Sequence, residues 1–158
     1  MTQKLNPSLQ KKSVARVAAT QCLYREAMTH DVQNAATWVG ALKQQLAGNR
    51  SEQRLLVGAP IEPDYKLLEA ILAGTKQWQA DIDKRLNTVL AADWKRERMS
   101  PLLIAILQCA IFELFFHKDA KPAIIIDEYT RLTHSFFGES DVHFIHGALA
   151  TLAKQCHE

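Results

Sequence analysis

LLIAILQCAIFELFF, residues Leu102 to Phe116, is the stretch that decides the fold. Of its fifteen residues only Gln108 and Glu113 are polar. As a helix it would be roughly 22 Å long at about 1.5 Å per residue, short of the ~20 residues a membrane span needs. A helix apolar nearly all round must be wrapped by protein. Ser100 reads as its N-cap and Pro101 as its first residue, and Lys118, Asp119, Lys121 and Pro122 mark its exit. The remaining sequence therefore reads as the helices that cover a central one.

Upstream, Ala91 to Met99 is a break containing Trp94, and before it the spacing predicts one long helix from about Asp64 to Leu90. Its apolar stripe is Tyr65, Leu68, Leu72, Trp78, Ile82, Leu86 and Val89. Gly74 inside that helix costs about 1 kcal/mol against alanine, which predicts a close approach by another helix. The stretch from about 48 to 63, with Gly48, Gly58, Pro60 and Pro63, reads as the longest connection, with a helical turn near Leu55. A helix is expected from about Val32 to Leu46, closed by Gly48-Asn49.

Met1 to Leu5 reads as a loose tail, and Asn6-Pro7 opens a first helix over residues 7–29. Leu9, Val14, Val17, Ala18, Cys22 and Leu23 are its expected core stripe. Lys12, Arg16, Thr20 and Tyr24, at i, i+4, are expected to form an exposed stripe, basic at its start and aromatic at its end.

Downstream of the central helix, Pro122 opens a helix with Ile125, Tyr129, Leu132 and Phe136 inward and an Asp127–Arg131 pair outside, ended by Gly138. A last helix starts near Ser140-Asp141 with Val142, Ile145, Leu149 and Leu152 inward. No period-2 strand is evident. The fold class is all-α, a bundle of six to seven helices read as one domain over residues 1–158, whose C-terminal helical half covers about 100–156.

Forty-seven per cent hydrophobic and 23% charged residues is ordinary soluble composition. A net charge of +2 does not argue for nucleic acid by itself, but its distribution is uneven. Lys4, Lys11, Lys12, Arg16 and Arg25 all precede the first acidic residue, Glu26. This is either a local electrostatic footprint or a solvated helix face. Cys22, Cys109 and Cys156 lack CxxC spacing and read as small core residues in a reducing compartment. With no apolar leader segment the chain reads as cytoplasmic, with no membrane association.

The six glycines are isolated, so neither GxGxxG nor GxxxxGK[ST] is present to cradle a phosphate. GxSxG, HExxH and cysteine–histidine zinc spacings are absent. His143 and His146 share a helix face without a third ligand at suitable local spacing, and Asp81 and Asp83 point to different faces. No catalytic residue, metal or cofactor is expected, and the chain reads as a non-enzymatic binding module.

Six segments together resemble the NusB family of bacterial transcription antitermination factors, over about Lys11 to Lys154. Arg16-Val-Ala-Ala19-Thr-Gln21-Cys-Leu23-Tyr24 is similar to the family's RxxAxQxLY. Gly74 with Ile82-Asp83 resembles GxxxxxxxID, and Trp94-Lys-Arg-Glu-Arg98-Met99 resembles WxxxRL. Ile106-Leu107 through Phe112-Glu113-Leu114 resembles ILRxAxYEL. Pro122 to Tyr129 resembles the next family helix, and Phe144-Ile145-His146-Gly147-Ala148-Leu149 resembles FVNGVL.

The resemblance implies an all-helical fold of two packed halves. It also implies binding to boxA-like single-stranded RNA together with the small-subunit ribosomal protein NusE, inside an RNA polymerase antitermination complex. Carried over by motif, Lys11, Lys12 and Arg16 would contact RNA phosphates, and Tyr24 would meet the protein partner. Phe144 is either a core edge or a stacking platform with His146 beside it, and its match lies on the family's RNA-facing side. The sequence departs from the family at Ser13 and Val14, at Leu103 and Ile104 in place of a charged pair, at Gln108 and at His146. The alternative is a non-catalytic interaction scaffold or homodimer that has weakened RNA binding, favoured if Leu103 and Ile104 are exposed. Glu113, nearly alone among apolar neighbours, is expected either to reach solvent or to pair inside the bundle.

Overall fold

The computed structural model describes residues 6–53, 61–90 and 99–156, with side-chain surroundings given outside 48–53. Among these residues there are seven helices and no strand. They are α1 (Pro7–Thr29), α2 (Ala35–Gln53), α3 (Tyr65–Gln77), α4 (Gln79–Val89), α5 (Pro101–Phe115), α6 (Pro122–Phe136) and α7 (Glu139–Gln155). The tail to Leu5, the turn near Leu55 and the break carrying Trp94 lie outside the described residues.

The apolar stretch forms α5, and every residue from Leu103 to Leu114 except Gln108 is buried. Ser100 caps it, its hydroxyl accepting from Leu102 N at 3.3 Å. α5 packs against α1, α3, α4, α6 and α7. α1 to α3 form one packed group, and α4, α6 and α7 another, with α5 shared between them. Among the described residues, no helix is long and apolar enough to cross a membrane.

Gly74 sits where α3 meets α5. A Cβ there would fall inside the Phe112 ring, so the glycine permits the close approach that its mid-helix position implied. The expected long helix is, however, two. Trp78 leaves helical geometry at φ −105°, ψ 20°, although its N–H still reaches Gly74 O at 2.9 Å and its carbonyl accepts from Ile82 N at 2.8 Å. The indole is not part of the inward stripe. It is over a third exposed and stacks on Phe116, with centroids 4.6 Å apart.

Three other expectations are corrected. α2 starts later and runs past Gly48 to Gln53. Its start is set by Asn34, which accepts from Thr37 N at 2.8 Å, and a single glycine costs too little to end a helix. Phe136 is exposed because α6 ends on it, and Phe137 packs against the core instead. On α1, Arg16 and Thr20 are buried rather than exposed, while Leu9 of the expected core stripe is exposed. Ala15 and Ala19 are fully buried. Small residues let α1 lie close on α3 and α5, and the Arg16 head group is neutralised, so this face turns inward.

Candidate nucleic-acid interface

The first turns of α1 are fixed by hydrogen bonds at both sides. Asn6 caps the helix, its side chain accepting from Ser8 N at 2.9 Å. Asp64 N donates to Lys11 O at 2.9 Å, and the Asp64 carboxylate accepts from Leu67 N at 3.0 Å. The start of α3 is thereby docked on the second turn of α1. Lys11 is exposed and Lys12 is half-buried.

Arg16, one turn beyond Lys12, points inward. Its Nε and Nη2 donate to the two Glu113 oxygens at 2.8 and 3.0 Å, a bidentate pair with side-chain exposures of 4% and 2%. Tyr129 on α6 donates its hydroxyl to the same carboxylate. Glu128 lies 3.8 Å from Arg16 Nη1 and accepts from the Ser13 hydroxyl at 2.8 Å. Glu113 is thus a buried, paired carboxylate, and α1, α5 and α6 meet in one closed polar node.

Burial works against the Arg16 charge, but the hydrogen bonds and charge of Glu113, with Tyr129 and Glu128, outweigh it. The guanidinium stays above its ordinary pKa. Burial, and then the Glu113 charge, push the Tyr129 phenol well above its ordinary value. Arg16 is therefore corrected from a surface phosphate contact to an anchor. Its planar fork is committed to a carboxylate, the geometry arginine matches and lysine does not.

Beside the node lies a cavity of about 300 Å³ lined by Lys12, Lys66, Asp64, His117 and Asp119, with Arg16 and Glu113 deeper in its wall. His117 Nε2 is 3.1 Å from Asp119 Oδ2. The lining balances three cations, Lys12, Arg16 and Lys66, against three carboxylates, Asp64, Glu113 and Asp119. Lys66 and His117 were not singled out in the sequence. Nothing in their spacing signals that they share a wall with a residue over fifty positions away.

A second buried carboxylate was also missed. Glu26, at 8% exposure, accepts from Trp38 Nε1 at 2.6 Å and Gln33 N at 3.1 Å, and pairs with Lys76 at 3.0 Å. It ties α1 to α2 and α3. The signal was available: Glu26 lies seven residues after Ala19 on the same face. Cys22 and Cys109 are buried free thiols, and Cys156 is half-buried. Burial, with the Glu26 charge, pushes the Cys22 thiol up to about 11.

Tyr24 is half-buried near the far end of α1. Next to it, Leu23, Ala27, Met99, Ile104 and Gln108 line an open groove. Leu103 and Ile104 are 2% and 9% exposed, so the exposed apolar patch that would favour a scaffold does not form there. Phe144 is half-buried on α7 against the core edge, and His146 is exposed. Lys11 and Lys12 on one side and Phe144 and His146 on the other are thus carried by different helices.

The sequence model described as the NusB family matches residues 13–154. The transcription antitermination protein NusB of Gluconobacter oxydans (strain 621H) is 30% identical over 153 residues, covering 97% of this chain and 92% of its own. Its counterpart in Maricaulis maris (strain MCS10) is 30% identical over 145 residues, covering 90% and 86%. The solved structure of T. maritima NusB superposes with a TM-score of 0.69 at 19% identity, covering 97% of this chain and 94% of that one. At that identity the likeness speaks for the fold.

Proposed function

The chain belongs to the NusB family of transcription antitermination proteins, and from that premise we propose that it is an RNA-binding adaptor for boxA-like RNA. In this reading it acts with the ribosomal protein NusE in the antitermination complex of ribosomal RNA operons. The observation that carries the reading is the tip of α1. Lys11, exposed, and Lys12, half-buried, stand there on a helix held from beneath by the Arg16–Glu113–Tyr129 node.

Lys11 and Lys12 neutralise RNA phosphates, and Arg16 holds their helix in place. Phe144 offers its ring to an unpaired base, with His146 at the same surface; base–aromatic stacking contributes about 1–3 kcal/mol. Tyr24 and the adjoining groove receive the protein partner. Nothing in this mechanism calls for catalysis.

The test is a titration of boxA-like RNA with and without NusE across a salt series. Each phosphate contact on a single strand adds about −0.7 to the slope of log K against log salt. Replacing Lys11 and Lys12 by alanine should flatten the slope by about 1.4, two such contacts. Phe144→Leu should lower affinity roughly tenfold, within the stacking range, with the melting temperature little changed. An unchanged slope in the double lysine variant would return these residues to a solvated helix face.

A further inference from the structure

We propose that Trp78, held flat on Phe116 where α3 gives way to α4, is a stacking platform for an unpaired base of the bound RNA. The inference rests on the RNA-binding reading and extends it to a residue to which the motif resemblance gives no role.

Trp78 caps two helices at once. It leaves helical geometry at φ −105°, ψ 20°, and the break turns its indole out of the inward stripe. The ring lies on Phe116 with centroids 4.6 Å apart and planes 7° from parallel. Behind Phe116 the aromatic contact continues to Phe115, centroids 6.4 Å apart, and the Arg85 guanidinium closes the series 3.8 Å from the Phe115 centroid. Phe115 and Phe116 are half-buried, whereas Trp78 is 37% exposed. Phe116 takes one face of the indole, so the exposed area belongs to the rest of the ring. An aromatic plane supported from behind in this way gives up little side-chain freedom when a second ring settles on it.

Charge does not select the ligand. Lys76 is paired with Glu26 at 3.0 Å, and Arg85 lies against Phe115. Exposed Lys118 stands beside exposed Asp119, with exposed Asp81 one turn from Trp78. What selects it is a π-face with polar margins. Gln77 and Gln79 flank Trp78 in the chain, and both are exposed. A protein anchor needs apolar neighbours that exclude water around it, and the residues beside the indole are polar or small. A nucleobase needs a flat ring to lie on and groups that can both donate to and accept from its edge, which side-chain amides supply.

The position suits a strand held at the α1 tip. Asp64 N–H bonded to Lys11 O docks the start of α3 there. Trp78 stands at the other end of the same helix, across its 13 residues, about 20 Å at about 1.5 Å per residue. A single strand covers that distance in a few nucleotides.

The experiment uses the full chain and a fluorescently labelled boxA-like single-stranded RNA, with anisotropy followed over a potassium chloride series. Trp78→Leu keeps apolar cover on Phe116 and removes the π-face. It should weaken binding roughly tenfold, inside the stacking range, at a native salt slope, because no phosphate contact is lost. Replacing each base in turn by an abasic site should reveal one position that costs the native chain roughly tenfold and costs Trp78→Leu nothing further, the non-additivity of two groups in contact. Tryptophan emission is a second readout, independent of the leucine chain. The unlabelled RNA should quench it in the native protein, and the quenching should vanish in Trp78→Phe, which keeps a ring on Phe116.

Native affinity in Trp78→Leu, quenching that survives in Trp78→Phe, or the lack of any abasic position coupled to Trp78 would overturn the platform and leave the RNA reading standing. A leucine variant that binds RNA normally but loses NusE would reassign the indole to a protein contact and overturn the inference as stated. Failure of the native chain to bind the RNA at all would overturn both readings together.

Discussion

Glu113→Ala tests the node that positions α1. The carboxylate is 2% exposed and accepts three hydrogen bonds, two from Arg16 and one from Tyr129. Its removal leaves a guanidinium at 3% exposure with only Glu128, 3.8 Å away, as partial compensation. Breaking one partner out of a buried pair costs about 3–5 kcal/mol, against a total stability of about 5–15 kcal/mol. At about 2–4 °C per kcal/mol for a chain of this size, the melting temperature should drop by about 6–20 °C. Circular dichroism melts and urea titrations at constant salt measure it. Glu113→Gln keeps an acceptor and loses the charge, so it should fall between native and alanine. The double change Arg16→Met with Glu113→Leu removes both charges and fills the space. It should lie within about 1 kcal/mol of native, since a buried pair need not outweigh its own desolvation. A drop of less than about 2 °C in Glu113→Ala, a small fraction of that range, would refute the reasoning. So would additivity of the two single losses in the double variant.

Gly74→Ala should destabilise by up to about 2 kcal/mol: overpacking costs about 1–3 kcal/mol, toward the upper end here because the buried Phe112 ring has little room to yield, and the helix-propensity gain offsets about 1 kcal/mol; a variant more stable than native would refute the close approach. Because burial raises the Cys22 thiol from 9.0 to about 11, its contribution is complete below pH 9 and is lost as pH rises through 11. The sign follows from the folded state holding the proton longer. Urea unfolding at pH 8 and pH 11 should show a loss of about 2–3 kcal/mol from this group, which Cys22→Ala abolishes. Maleimide should modify Cys156 in the native protein but reach Cys22 and Cys109 only on unfolding, as mass spectrometry of quenched samples would show. Tyr24→Ala should weaken NusE binding more than it lowers the melting temperature; intact partner affinity with a large stability loss would place the ring in the core edge.

The outline of the bundle was readable because it depends on local signals. Proline and cap residues fixed the starts of α1, α5 and α6, and the apolar run of α5 left no choice but enclosure. Gly74 was readable because a glycine inside a strong helix pattern needs a reason. The rotation of α1 was not. Periodicity ranks faces by side-chain hydropathy, so it placed Val14 and Val17 inward and Arg16 and Thr20 outward. The structure keeps Val17 against the core but turns Arg16 and Thr20 inward as well, because Glu113 and Tyr129, about a hundred residues away, turn an arginine into a neutral contact. Trp78 misled for a related reason, since its stacking partner Phe116 lies at the far end of α5, just past its last residue. Motif resemblance marked Arg16 and Glu113 as places that matter, but not that they touch.

Burying Arg16 changes what the surface can do. Of Lys11, Lys12 and Arg16, only exposed Lys11 and half-buried Lys12 remain toward the surface, on a helix held by an internal anchor. Two point charges without a planar fork bind phosphate with little geometric preference, so a strand held by them alone would be free to slide. The Asp64–Lys11 backbone bond holds the seam between α1 and α3. The same buried pair that contributes little net stability therefore has a positional consequence. Loosening it would leave the lysines present and the fold largely helical while blurring the spacing of Lys11 and Lys12 from the start of α3. In an Arg16→Met, Glu113→Leu chain of near-native stability, weaker RNA binding at an unchanged salt slope would be the signature of that lost spacing.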